Sequence, residues 1–88
     1  MIFEGVYLNG KRNGKGKEYN KNNGKLSFEG EYLNGKINGK GKEYFIDGNL
    51  IFVGEYLNGK RNGKGKEYDD DGDLIFEGEY LNDERIIN

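Results

Sequence analysis

The side chains available for chemistry in this sequence are carboxylates, amines and phenols. His, Cys, Thr, Gln and Pro are absent, and Ser27 is the single serine. Ser-His, Cys-His and His-metal constellations are therefore excluded, as are disulfides and thiolate metal sites. Glu29, Glu31, Glu55 and Glu79 raise the question of paired carboxylates of the glycosidase kind. Their regular recurrence argues against it: a catalytic pair needs one pocket that shifts its pKa values, and a motif copied along a chain supplies none. Asp-Asp-Asp-Gly-Asp at 69–73 invites calcium, but an EF-hand loop needs Asp-x-Asp-x-Asp-Gly and a later Glu. Gly72 comes too early, and the corresponding turns NKNNG and FIDG lack the acids, so the segment reads as a solvated turn. Gly-Lys-Gly-Lys resembles a phosphate-cradling loop, yet it falls in mid-strand and not between a strand and a helix. No catalytic residue, metal or cofactor is expected.

Lysines 15, 17, 40, 42, 64 and 66 form a stripe that could dock on anionic lipid. Glutamates 4, 29, 31, 77 and 79 interleave with them, and a mixed ladder produces little long-range field. The net charge of −2 gives no drive towards nucleic acid, whose binding rests on phosphate neutralisation. The start, MIFEGVYLNGK, has no basic region followed by an apolar run, as a signal peptide would. No apolar run approaches the ~20 residues of a membrane span. The expectation is a soluble, cytoplasmic chain, with a membrane-peripheral location as the rival.

What positions these residues is a repeat. Phenylalanines at 3, 28, 52 and 76 are spaced by 25, 24 and 24 residues. One domain, 1–88, divides into repeats 3–27, 28–51 and 52–75 and a partial, capping repeat 76–88. Within each repeat an Asn-Gly pair (9–10, 34–35, 58–59) is flanked by segments with period-two apolar spacing, a strong hairpin signal. Sixteen glycines and this period argue against helix. The apolar set is too thin for a two-layer core. The expected fold is all-β: a single-layer antiparallel meander of stacked hairpins, seven or eight strands in a twisted open trough.

Pairing outward from a two-residue turn sets Tyr56 against Arg61, Gly54 against Gly63 and Phe52 against Gly65. It likewise sets Phe28 against Gly41 and Phe3 against Gly16. Each hairpin then carries a ring lying over a glycine, an arrangement that covers bare backbone. Leu26, Leu50 and Leu74 are expected on the same face as the following Phe. The other face carries Glu29 opposite Lys40 and Glu4 opposite Lys15. Unbroken alternation puts Tyr19, Tyr44 and Tyr68 on that charged face. A one-residue bulge between Gly65 and Tyr68 would return the last to the aromatic face, and the bulge is the reading preferred.

FEGEYLNGKRNGKGKEYDDDGDLI resembles the MORN repeat (membrane occupation and recognition nexus). The resemblance is carried by Phe52, Gly54, Glu55, Tyr56, Asn58, Gly59, Lys60, Gly63, Gly65, Tyr68 and Gly72 and their counterparts. Asn62 stands where many members have His. The resemblance implies a curled single-layer sheet whose concave side is lined by aromatic and Gly residues, with roles in scaffolding, protein contact or membrane attachment. A MORN-variant group of bacterial antitoxin-like proteins is similar as well.

A single-layer sheet has no second layer to cover Phe3, Tyr7, Phe28, Tyr32, Phe52, Tyr56, Phe76 and Tyr80. These eight are the candidate binding surface for a protein partner, either another protein or a second copy forming a homodimer. The first strand is a second candidate, as a sheet edge with only Glu4 to discourage pairing. The last segment, LNDERIIN, reads as a cap, with Ile87 expected over Gly78.

Overall fold

In the computed structural model of the chain, residues 2–87 are described, and Met1 and Asn88, the ends of the expected domain, lie outside them. Eight strands follow in chain order: β1 (Ile2–Leu8), β2 (Lys11–Tyr19), β3 (Leu26–Leu33), β4 (Lys36–Tyr44), β5 (Leu50–Leu57), β6 (Lys60–Tyr68), β7 (Leu74–Leu81) and β8 (Glu84–Arg85). They form one antiparallel sheet in the order β1-β2-β3-β4-β5-β6-β7-β8, the expected meander. Asn9, Asn34 and Asn58 take φ of 52°, 51° and 51°, and the glycines after them 77°, 85° and 85°. These are the left-handed values a type I′ hairpin turn requires.

The register departs from simple outward pairing by two residues. Tyr56 does face Arg61, but Gly54 then faces Gly65 and Phe52 faces Glu67. Phe28 faces Glu43 and Phe3 faces Glu18. On the charged face Glu29 lies opposite Lys42, not Lys40, and Glu4 opposite Lys17, not Lys15. The cause is a bulge after each Asn-Gly turn, in which Gly14, Gly39 and Gly63 turn to φ of 90°, 109° and 103°. A two-residue slip keeps every side chain on its face, so rings still lie over glycines. Glycine now faces glycine across seven strands, in the row Gly5, Gly16, Gly30, Gly41, Gly54, Gly65, Gly78. A methyl group on Gly65 would lie 2.5 Å from two ring carbons of Phe52, so the ring occupies the place of the missing side chain.

Three other expectations are corrected. The second bulge lies in β3, β5 and β7, not between Gly65 and Tyr68: Tyr19 pairs with Leu26, Tyr44 with Leu50 and Tyr68 with Leu74, leaving Ser27, Ile51 and Ile75 extra. Tyr19 and Tyr44 therefore stay on the charged face, where their hydroxyls donate to Glu4 (3.0 Å) and Glu29 (2.8 Å). Tyr68 shares that position, but Val53 stands where an acceptor would be. The same bulge turns Ile51, not Leu50, against the rings. Finally, β8 ends at Arg85 and Ile87 is 74% exposed, and the atoms nearest Gly78 are those of the Phe76 ring.

Successive hairpins are laced at their turns. The N–H groups of Gly35 and Gly59 donate to the carbonyls of Arg12 and Ile37 at 2.9 and 2.8 Å. Those of Asn34 and Asn58 donate to the side-chain oxygens of Asn13 and Asn38 at 3.3 and 3.1 Å. Each hairpin thus hangs on the one before it, the nearest-neighbour logic of a repeat protein.

Candidate functional site

The eight rings read from the sequence form one unbroken series. Within strands, Phe3 meets Tyr7 at 5.4 Å and Phe52 meets Tyr56 at 5.6 Å; between strands, Phe3 meets Tyr32 at 5.2 Å, Phe28 meets Tyr56 at 5.6 Å and Phe52 meets Tyr80 at 5.1 Å. All are edge-to-face, the arrangement the ring quadrupoles favour. Phe28, Tyr32, Phe52, Tyr56 and Tyr80 are buried, and Phe3 and Phe76 are partly buried. Tyr7 is 59% exposed. The central rings are therefore the core of the sheet, and the surface they leave lies at the two ends of the series.

What buries rings in a single layer is a cover that sequence reasoning missed. Arg12, Arg61 and Arg85 place their guanidinium carbons 4.0, 4.2 and 4.9 Å from the ring centres of Phe3, Phe52 and Phe76. Ile37 takes the corresponding place in the second repeat and packs against the core. Glu18, Glu43 and Glu67, paired with the phenylalanines, accept the hydroxyl protons of Tyr32, Tyr56 and Tyr80, the last two at 2.6 and 2.7 Å. Arg61 spans two of these carboxylates, 2.6 Å from Glu43 and 3.5 Å from Glu67, and Arg85 lies 2.9 Å from Glu67. A rail of ion pairs and phenols thus roofs the rings. The signal was in the alternation of GKGKEY: carried unbroken from Gly65, it puts Glu67 on the ring face.

Electrostatics follow from that roof. Burial, then the bond to Glu67, pushes the Tyr80 phenol up to about 12, and burial with the bond to Glu29 does the same for Tyr44. Tyr32 and Tyr56 are raised further, by burial first and then by Glu18 and Glu43. The Arg85 bond holds the Glu67 carboxyl below its ordinary range, against the opposing effect of burial.

On the charged face a groove of about 900 Å³ runs over the glycine row. Its walls are Glu4, Lys15, Lys17, Glu29, Glu31, Lys40, Lys42, Val53, Glu55 and Lys64, and none of the eight rings lines it. This groove is lined by Gly with Glu and Lys, and the rings pack together on the other face. Two of these carboxylates have a structural task. Glu31 accepts the backbone N–H of Lys40 at 2.8 Å, and Glu55 that of Lys64 at 2.7 Å, each satisfying a donor freed by the bulge. In the first hairpin the residue at this position is Val6, which has no acceptor.

Val53 interrupts the groove's charge pattern. It lies opposite both Lys42 and Lys66, where other strands present a glutamate between lysines. At the return turn, Asp69, Asp70 and Asp71 bring carboxylate oxygens within 4.8 Å of one another. One Asp69 oxygen already accepts the N–H groups of Asp71 and Asp73, at 3.0 and 2.9 Å. The cluster is built as a turn.

β1 pairs with β2 alone, and Ile2, Val6, Tyr7 and Leu8 are each more than half exposed. Among the described residues, no helix is long and apolar enough to cross a membrane.

Among models of known families, the one described as MORN repeat matches the chain three times, at residues 3–25, 28–50 and 52–74. No curated protein matches it.

Proposed function

Because the chain belongs to the MORN-repeat family, a family of interaction and membrane-association modules, we propose that it is a non-enzymatic scaffold that holds a protein partner along β1. An extended segment of that partner adds to the sheet, where main-chain hydrogen bonds supply affinity and side-chain positions supply selectivity. The observation that carries this reading is the open side of β1, where Tyr7 is 59% exposed while its counterparts Tyr32, Tyr56 and Tyr80 are buried. Of the eight aromatic candidates, Tyr7 and its neighbour Phe3 are the ones such a segment would meet, with Phe76 at the opposite end.

A second reading has its own observation. Val53 stands between Lys42 and Lys66, so each of these lysines has a glutamate on one side only, Glu29 for Lys42 and Glu77 for Lys66. That spot favours an anionic headgroup and a place at a membrane surface.

Affinity capture with the wild type, with Ile2→Lys/Tyr7→Lys and with Lys42→Glu/Lys66→Glu separates the two. Loss of the bound protein with the edge variant alone supports the β1 reading. Capture indifferent to the edge variant, together with salt-sensitive flotation on phosphatidylserine vesicles that the lysine variant abolishes, replaces it with the membrane reading.

A further inference from the structure

We propose that β1 pairs with β1 of a second copy about a two-fold axis through Gly5, making a closed dimer with one continuous sheet. The inference rests on the reading of β1 as the contact edge and names its partner. In this pairing Gly5 faces the partner's Gly5, Phe3 faces the partner's Tyr7, Glu4 faces the partner's Val6 and Ile2 faces the partner's Leu8.

Two observations select this register. The first is the glycine row: every neighbouring pair from β1 to β7 sets glycine against glycine, with rings on either side. Antiparallel pairing of β1 with itself continues that row only when the axis passes through Gly5. The ring series then crosses the axis too, since residues directly opposite in an antiparallel pair share a face. Tyr7, 59% exposed, would gain a ring neighbour on its open side.

The second observation is Val6. The same position holds Glu31, Glu55 and Glu79 in β3, β5 and β7. Two of those carboxylates accept the N–H of Lys40 and Lys64, a contact Val6 forgoes at Lys15. Across the two-fold, however, a glutamate at position 6 would stand directly opposite Glu4, twice by symmetry, and like charges so placed repel. Valine removes both clashes and lays an apolar side chain there.

The same test rejects the alternatives. Pairing β7 with itself about Gly78 would oppose Glu77 and Glu79 of two copies, and β8 already occupies the edge at Tyr80 and Leu81. Joining β1 to β7 head to tail would oppose Glu4 and Glu79. The charges therefore favour a closed pair over a filament.

Sedimentation equilibrium over a concentration series tests the pairing with Val6→Glu and Val6→Lys. The wild type should be dimeric. Val6→Glu should raise the dissociation constant roughly tenfold or more, because two symmetric like-charge pairs appear at once. Val6→Lys should stay near the wild type, since lysine meets the partner's Glu4. A melting curve on dilute protein checks the fold, and Val6→Glu should melt no lower than the wild type because a carboxylate there can take Lys15 N–H. Equal behaviour of the two variants, dimeric or monomeric, overturns the pairing. A monomeric wild type also overturns it, while leaving the edge to a heterologous segment that the capture experiment decides.

Discussion

The first and third hairpins differ by one transposition. Glu4-Gly5-Val6 in one stands against Val53-Gly54-Glu55 in the other, and the next thirteen residues are identical. Moving an acid across a glycine keeps composition, face and period the same. It nevertheless exchanges two hydrogen bonds: Glu4 accepts from Tyr19 and Glu55 from the Lys64 N–H, while Val53 and Val6 leave Tyr68 and Lys15 without the equivalent. The two acidic positions in this strand are thus not interchangeable solubilising charges. One secures the return strand's tyrosine, the other closes a bulge. The second difference is one of neighbours. Tyr56 is buried and Tyr7 is exposed, although both belong to the same motif, because β5 is flanked by β4 and β6 and β1 by β2 alone.

That contrast is broken most severely at the phenylalanines. Phe52 is fully buried, touches Tyr56 and Tyr80, and covers Gly54 and Gly65. Phe52→Ala should cost about 3–5 kcal/mol, enough to unfold a domain this small at ambient temperature. Phe3→Ala, at a partly buried edge, should cost less than half as much. Urea titrations read both, and equal costs would mean that the neighbouring hairpin contributes nothing to ring burial.

Next come the glycines beneath the rings. A methyl on Gly65 would meet Phe52 at 2.5 Å and Tyr80 at 3.1 Å, and one on Gly16 would meet Phe3 at 2.6 Å and Tyr32 at 3.2 Å. The distances match, but Phe3 can swing towards open solvent and Phe52 cannot. Gly65→Ala should cost roughly 1–3 kcal/mol by overpacking, and Gly16→Ala the lower part of that range.

How much of this could be read from the residues follows from what repeats. The 24-residue period, the Asn-Gly turns and the ring-on-glycine principle were legible, and they suffice for a single-layer meander. The register was not, because the bulge at Gly14, Gly39 and Gly63 depends on positive φ, which a glycine permits but does not announce. Once the slip is admitted, Glu67 falls beside Phe52 and the roof of Arg61 and Glu67 becomes readable. Tyr68 was misplaced because the second bulge lies at Ile51 and Ile75, immediately before the phenylalanine of the same strand, where Leu-Ile-Phe gives no turn residue to mark it. The edge at β1 was legible from topology. The meaning of Val6 was not, since its consequence depends on Lys15 N–H.

The bulge carboxylate sharpens the comparison at a smaller scale. Glu55→Val, which makes the third hairpin match the first at that position, should cost about 1–2 kcal/mol by leaving the Lys64 N–H without its charged acceptor. Val6→Glu should recover a similar but smaller amount in dilute protein, the edge being open to water. Thermal melts of the two variants should move in opposite directions, and parallel movement would show that the carboxylate acts only as surface charge.

Acid sensitivity probes the roof. A carboxyl whose folded pKa lies below its ordinary value of 4.5 adds stability above that pH and gives it up as pH falls through the folded value. Glu67, held down chiefly by Arg85, is such a group. Arg85→Met should therefore lower stability near neutrality and make the loss between about pH 5 and pH 3 shallower than in the wild type. An unchanged slope would locate the acid response elsewhere.

The smallest expected effect isolates the other half of the transposition. Tyr19 and Tyr44 donate to Glu4 and Glu29 at 3.0 and 2.8 Å, and Val53 denies Tyr68 this bond. Val53→Glu should supply the acceptor and a carboxylate between Lys42 and Lys66, for a combined gain of a few tenths to about 1 kcal/mol. Tyr68→Phe separates the two contributions. In a double-mutant cycle the hydroxyl's share appears as coupling between positions 53 and 68, and the lysines' share survives in the Phe background. Coupling near zero with the gain intact would mean that the lysines alone respond to the new charge. The glutamate at the first acidic position would then act through its neighbours on β4 and β6, and the Tyr19–Glu4 bond would be a consequence of the strand's placement and not one of its causes.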